Sequence, residues 1–380
     1  MKIAVPKERA PGERRVALVP EIVAKLVKSG HTVVVERGAG TSAGYVDAAY
    51  ETAGATLAAD ARAAYADAGA VVRVAKPSDD ELDGIARGTA LIGFLSPLGD
   101  PRSVERYAQR GITALSMDAI PRTTKAQAMD ALSSQANIGG YKAALLAANH
   151  LPKFFPMLTT AAGTIPPAKA LVIGAGVAGL QAIATCRRLG AVVTAYDTRP
   201  VVAEQVRSLG AKFLEIDVGE SGEGQGGYAR ELSPEALAKQ RAGMVKAIGA
   251  SDVVITTAAI PGKRAPILVT AEAVAAMAPG SVIVDLAAET GGNVDGTVPG
   301  EVATSANGVT IVGLLNLPSS LAYDASRLYA RNVQALLDYI TKDGALVLDP
   351  GDEIVAGTTI TRDGEIVHEP TRAALTGGAA

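Results

Sequence analysis

Short apolar, β-branched runs alternate with longer alanine-rich or amphipathic stretches along the whole chain, the pattern of repeated strand-helix units built on a parallel sheet. The first half offers KIAVP at 2–6, TVVVE at 32–36, AVVRVA at 70–75, ALIGFL at 90–95 and ITALSM at 112–117. The second half offers KALVIG at 169–174, AVVTAYD at 191–197, KFLEID at 212–217, DVVITT at 252–257, SVIVDL at 281–286 and VTIVGL at 309–314. Between them the spacing predicts helices, for instance Glu21 to Ser29, where Val23, Leu26 and Val27 share a face and Gly30 supplies a stop. The expected fold is therefore α/β, with two doubly wound parallel-sheet (Rossmann-like) domains joined by long helices.

A helical stretch from about Lys125 to Asn149 separates the two sets of strands, and a second, from about Ser319 to Ile340, follows the last of them. These place one domain at 1–130 with a returning segment at 320–380, and the other at 131–319. Within the returning segment, VAGTTITRDGEIV at 355–367 reads as two short strands around the turn Arg362-Asp363-Gly364. Gly219 to Gly227 holds five glycines and two glutamates and reads as a flexible loop.

Composition narrows the class further. Of 380 residues, 48% are hydrophobic and 20% charged, enough apolar material for a sizeable core. A net charge of -3, from 36 basic and 39 acidic residues, gives no electrostatic footprint for nucleic acid. Cys186 is the only cysteine and His31, His150 and His368 are the only histidines, which excludes an internal disulfide and argues against a metal site of those ligands. Lys7, Glu8 and Arg9 interrupt the start before a signal-length apolar stretch forms, so a cytoplasmic location is expected. The longest uncharged run, Val302 to Tyr323, contains Asn307, Asn316 and Pro318 and would make a poor membrane span.

The strand KALVI runs into Gly174-Ala175-Gly176-Val177-Ala178-Gly179, and a helix pattern follows as far as Gly190. This is the dinucleotide fingerprint in its required context. Gly174 serves the tight turn, Gly176 admits a pyrophosphate close to the backbone, and Gly179 allows close helix-sheet packing, while the helix N-terminus offers free amides. The next strand ends in Asp197, which can accept hydrogen bonds from a ribose diol and would repel a 2′-phosphate, so the expected ligand is NAD(H). Arg199 is expected along the adenosine or the pyrophosphate.

With Pro6-Lys7-Glu8 followed by Glu13-Arg14-Arg15-Val16-Ala17-Leu18-Val19-Pro20, the chain resembles the alanine dehydrogenases and the NAD(H)-binding alpha subunit of proton-translocating NAD(P) transhydrogenase, which are homologous. The segment Arg122 to Tyr141 resembles the transhydrogenase loop carrying Arg, Gln, Asp and Ser, and GGYAREL at 226–232, TTAAIPGKRAPILV at 256–269 and DLAAETGGN at 285–293 match as well. The resemblance implies that Arg122, Gln127, Asp130 and Ser133 bracket the nicotinamide and its ribose, that Thr123, Thr124 and Lys125 are cofactor-binding residues, and that Arg122, Gln127 and Asp130 are the catalytic set. It likewise implies that Gly174, Gly176, Val177, Ala178, Gly179, Asp197, Thr198 and Arg199 hold the pyrophosphate and adenosine. Gly227 and Tyr228 resemble the tip of a mobile loop that closes over nucleotide, and Gln240 and Ala259 fall at further contact positions. Without the resemblance, Gln127 and Ser133 read as polar residues of a helix surface, Asp130 as a solvated carboxylate and Tyr228 as a loop anchor.

The two branches differ in chemistry. The alanine dehydrogenase pattern uses an arginine, a lysine, a histidine and an aspartate to anchor a carboxylate and move a proton. Arg15 and Lys76 match the first two, but Ser96 stands at the histidine position and Glu289 at the aspartate position. Hydride transfer between two nicotinamide rings needs no proton transfer at the reacting carbons, so binding groups suffice. The transhydrogenase branch implies NAD(H) on this chain, NADP(H) on a partner, a homodimer, and membrane subunits that place the chain on the inner face of the cell membrane. An amino-acid dehydrogenase and a silent NAD(H)-sensing module are the competing readings.

Overall fold

The computed structural model describes residues 1–216, 233–260 and 262–376. The chain divides into two units, Met1–Gln135 with Pro318–Ala380 and Ala136–Leu317.

The first unit begins with six strands, β1 (Lys2–Val5), β2 (Thr32–Glu36), β3 (Thr56–Ala58), β4 (Ala70–Ala75), β5 (Ala90–Phe94) and β6 (Thr113–Ser116). They form a parallel sheet in the order β3-β2-β1-β4-β5-β6, the doubly wound arrangement. Both faces are covered, which is why the strands read as continuous apolar runs. Ile3, Val5, Val72 and Ile92 pack with Ile22, Leu26, Tyr329, Val333 and Leu337 on one side, while Ala4, Val71 and Leu91 meet Leu82, Val104 and Tyr107 on the other. β3 escapes a sequence reading because TLA is three residues long and lies at an edge.

The second unit holds a two-stranded ribbon, β7 (Leu158–Thr160) with β8 (Gly163–Ile165), that the apolar pattern does not announce. Its main sheet comprises β9 (Lys169–Ile173), β10 (Val192–Tyr196), β11 (Lys212–Phe213), β12 (Val253–Thr256), β13 (Val282–Asp285), β14 (Val302–Thr304) and β15 (Thr310–Val312), in the order β11-β10-β9-β12-β13-β15-β14. All neighbours are parallel except β14 and β15. The strand expected at 212–217 shrinks to Lys212–Phe213, because β10 offers partners only at Thr194 and Ala195.

In the returning segment the structure adds a short hairpin, β16 (Thr341–Lys342) and β17 (Ala345–Leu346), to the expected strand pair, β18 (Thr359–Arg362) and β19 (Glu365–Ile366). β18 lies antiparallel on β6, so the first sheet has eight strands rather than about five. The expected turn is present, with Asp363 and Gly364 both at positive φ, but residues 355–358 belong to the helix Glu353–Thr358. Asp352 caps that helix by accepting from the amides of Ile354 and Val355, which extends helical backbone into the segment that reads as strand.

The single helix expected over 125–149 is also broken. Thr124–Met129 is a 3₁₀ segment, and the α-helix runs from Ala131 to His150. Asp130 makes the break by accepting from the backbone amide (2.9 Å) and hydroxyl (2.6 Å) of Ser133. The helix Ala322–Ile340 packs wholly into the first unit, burying Tyr329, Val333, Leu336, Leu337 and Ile340.

Candidate functional site

Strand order places a switch point between β9 and β12, where connections leave in opposite directions and a crevice opens at the carboxyl ends. The loop Gly174–Gly179 follows β9 at this point, and the helix Val177–Arg188 starts from it with Gly176 as N-cap. Gly174 has φ +98°, and a Cβ there would stand 2.4 Å from Thr257 Oγ1. A Cβ on Gly179 would stand 1.8 Å from the Gly174 carbonyl oxygen. The packing of the protein therefore demands both glycines. Gly176 differs, since a Cβ there would meet nothing within 4 Å and its φ of -75° suits any residue. Val177 is exposed beside it and Ala178 half-buried.

Asp197 follows β10 and turns back on the loop. Its Oδ2 accepts from the Ala175 amide (2.7 Å) and Arg199 Nη2 (3.0 Å), and its Oδ1 from the Arg199 amide (2.9 Å) and Arg199 Nε (2.9 Å). Burial opposes ionisation, but these donors outweigh it and hold the carboxyl below its ordinary pKa. Arg199 thus lies on Asp197, because the fork of the guanidinium finds its carboxylate two residues away. Thr198 sits half-buried between them.

Gln240, expected as a contact, is buried and donates through Nε2 to the Tyr196 hydroxyl at 3.0 Å. Ala259 is exposed in the segment that follows β12. Gly227 and Tyr228 lie outside the described residues.

In the first unit, the 3₁₀ segment Thr124–Met129 buries Ala126 and Met129 and leaves Thr124, Lys125 and Gln127 exposed. Arg122 is exposed just ahead of it, with Thr123 half-buried at its N-cap. Asp130 and Ser133 are brought together by the cap described above. Lys125 is drawn elsewhere: its ammonium bonds the Tyr339 hydroxyl, stands 3.6 Å from Asp352 and lies 4.6 Å from the Tyr339 ring centroid. Sequence reasoning missed Asn332, which donates to the Ala128 carbonyl (2.8 Å) and accepts from Ser134 Oγ (2.7 Å), fixing the segment on both sides. Nothing in the pattern of a buried amphipathic helix marks that asparagine.

The residues at the dehydrogenase positions are held by the protein's own groups. Arg15 donates from Nε (2.8 Å) and Nη2 (2.6 Å) to Glu13 and from Nη1 (2.8 Å) to Gln135. Lys76 pairs with Asp100 at 2.6 Å. Ser96 has φ +52° and donates its amide to Asp118 at 3.0 Å. Glu289 accepts from the Asn316 amide at 2.6 Å. Of the histidines, His368 bonds Thr371 through Nδ1 at 2.8 Å, and His31 is buried before β2.

Two doubly wound sheets, one of them carrying a glycine loop that opens a helix and a carboxylate at the end of the next strand, define an α/β protein of the dinucleotide-binding class. The chain belongs to the alanine dehydrogenase/PNT family: the model of the family's N-terminal domain matches residues 4–139 and that of its C-terminal domain residues 143–369. It is 49% identical, over 386 residues and 99% of both chains, to a Rhodospirillum rubrum protein named as the first part of NAD(P) transhydrogenase subunit alpha. A solved transhydrogenase from Sinorhizobium meliloti superposes with a TM-score of 0.88 at 44% identity, covering 96% of this chain and all of that one. The alanine dehydrogenase of Bacillus subtilis is more distant, at 30% identity over 97% of this chain and 93% of its own.

Proposed function

We propose that this chain is the NAD(H)-binding peripheral subunit of a proton-translocating, Re/Si-specific transhydrogenase, exchanging hydride between NAD(H) on its own site and NADP(H) held by a partner subunit. Gly176 carries the reading. Neither backbone conformation nor any protein neighbour requires a glycine there, whereas the close approach of a pyrophosphate to the helix N-terminus does. The residues thus fit a dinucleotide.

When bound, the nicotinamide supplies the hydride chemistry: a hydride with its electron pair leaves C4 of the reduced ring and joins C4 of the oxidised one. No proton enters or leaves at either carbon, so the site needs groups that bind and orient rather than an acid or base. The amides of Val177, Ala178 and Gly179 hold the pyrophosphate, with Gly176 giving it room and Gly174 shaping the turn that presents them. Asp197, Thr198 and Arg199 take the adenosine ribose, and Gln240 and Ala259 line the site. Arg122, Thr123, Thr124, Gln127, Asp130 and Ser133 orient the nicotinamide and its ribose, with Lys125 anchoring their segment to Tyr339 and Asp352. Ser96 in place of a histidine, and Arg15 and Lys76 engaged by Glu13 and Asp100, support this reading over amino-acid oxidation. The chain acts as a homodimer on the inner face of the cell membrane, where membrane subunits couple the exchange to proton movement. Among the described residues no helix is long and apolar enough to cross a membrane itself.

The test is NADH oxidation by the purified chain, followed by absorbance. Oxidation is expected with NADP-loaded partner subunits and not with pyruvate plus ammonium. Turnover in the second mixture alone would assign the chain to the dehydrogenase branch.

A further inference from the structure

Asp285 ends β13 with its side chain closed off from solvent, and four protein donors occupy it. Thr256 Oγ1 (3.0 Å) and the Ala287 amide (3.0 Å) donate to Oδ1, and the Asn293 amide (2.8 Å) and Thr297 Oγ1 (2.7 Å) to Oδ2. Its full set of acceptor positions is thereby used to fix the loop that follows β13. Asn293, at the end of that loop, is itself completely buried. Its Oδ1 accepts from the Ala258 amide (3.1 Å), and its Nδ2 donates to the carbonyls of Ala258 (2.8 Å) and Pro266 (2.8 Å). The backbone carbonyl of Asn293 accepts from Leu268 and Val269. One side chain therefore holds both polar groups of Ala258, the second residue after β12. The neighbouring Thr257 hydroxyl donates to the Gly174 carbonyl at 3.1 Å, which ties the same segment to the glycine loop.

β12 lies across the switch point from β10. With the adenosine ribose at Asp197 and the pyrophosphate at the helix N-terminus, the other half of a dinucleotide must run over the carboxyl end of β12, against Ala258 and Ala259. We infer that Asn293, oriented by Asp285, is a positioning residue for the nicotinamide half of the site: it holds the backbone of Ala258–Ala259 where that half lies. The inference rests on the dinucleotide reading above. A side chain that served only the stability of the unit would affect the two halves of the ligand alike.

The experiment titrates the parent chain, Asn293→Asp, Thr297→Val and Thr297→Ser with NADH and, separately, with ADP, which carries only the adenosine half and its phosphates, while thermal unfolding is followed in parallel. Asn293→Asp keeps the shape but turns the Nδ2 donor into an acceptor facing two carbonyl oxygens, so the Ala258 segment must move. Loss of such buried hydrogen bonds predicts NADH binding weakened about tenfold or more, with ADP binding within about twofold of the parent. Thr297→Val removes one donor from Asp285 and should weaken NADH selectively but less, and Thr297→Ser, which restores the hydroxyl, should return parental binding; this pair carries the test if the buried carboxylate of Asn293→Asp prevents folding. Unchanged NADH binding in the folded variants, or equal weakening of NADH and ADP, overturns the inference while the dinucleotide reading stands. A parent chain that binds neither ligand overturns both.

Discussion

Among single residues, the glycines of the loop after β9 separate what folding requires from what a ligand requires. A methyl on Gly179 would be driven into the Gly174 carbonyl and cannot be relieved by a rotamer change, because the obstacle is backbone. A methyl on Gly176 meets nothing. We therefore expect Gly179→Ala to lower stability by about 1–3 kcal/mol, as overpacking does, and Gly176→Ala to leave the urea midpoint essentially unchanged while weakening NADH binding. Unfolding curves and NADH fluorescence titrations on the two variants check this. Asp197 shows how a site residue legible in sequence acquires a partner that is not. Its position at the end of β10 follows from the fingerprint, but its occupation by Arg199 and the Ala175 amide depends on the turn after the strand. In the proposed function a ribose diol therefore competes with Arg199 for that carboxylate.

At the level of elements, the helix Ala131–His150 carries two successive glycines, Gly139 and Gly140, in its interior, where each costs about 1 kcal/mol relative to alanine. The helix Val177–Arg188 supplies the reason for the second. A Cβ on Gly140 would stand 2.0 Å from the Ala178 carbonyl oxygen, so its absence lets the two helices touch at the first turn of the glycine-loop helix. Gly140→Ala should gain intrinsic helix propensity yet destabilise the fold by about 1–3 kcal/mol, because helix separation must increase. A lower urea midpoint than the parent is the expected result, and a higher one would show that the contact relaxes freely. The 3₁₀ segment Thr124–Met129 is governed from outside in the same way. Its exposed residues were legible through the family motif, but the groups that fix it, Asn332 and Tyr339, lie about 200 residues further along the chain.

For the whole molecule, pH offers a test of how buried polar groups were accommodated. Burial lowers the pKa of His368 and of His31, the latter with help from the nearby amino terminus. An unfolded chain binds a proton on histidine near pH 6.5, so on acidification the unfolded state takes it up first and the folded state loses relative stability. The contribution is present above that pH and lost below it. Comparing urea midpoints of the parent and His368→Gln between pH 7 and pH 5 should show the parent losing ground as pH falls; a constant difference would contradict the buried, neutral imidazole. Local periodicity and the spacing within a strand-turn-helix unit were enough to read the alternation of strands and helices, the doubly wound class of the two sheets and the position of the glycine loop. Packing between elements set the edge strands β3 and β14, the buried Arg73 between Glu8 and Glu81, the capture of Lys125 by Tyr339, and the clamp from Asp285 through Asn293 to Ala258. Each rests on a hydrogen bond, an ion pair or an edge pairing, which leaves no periodic trace in the residues that make it.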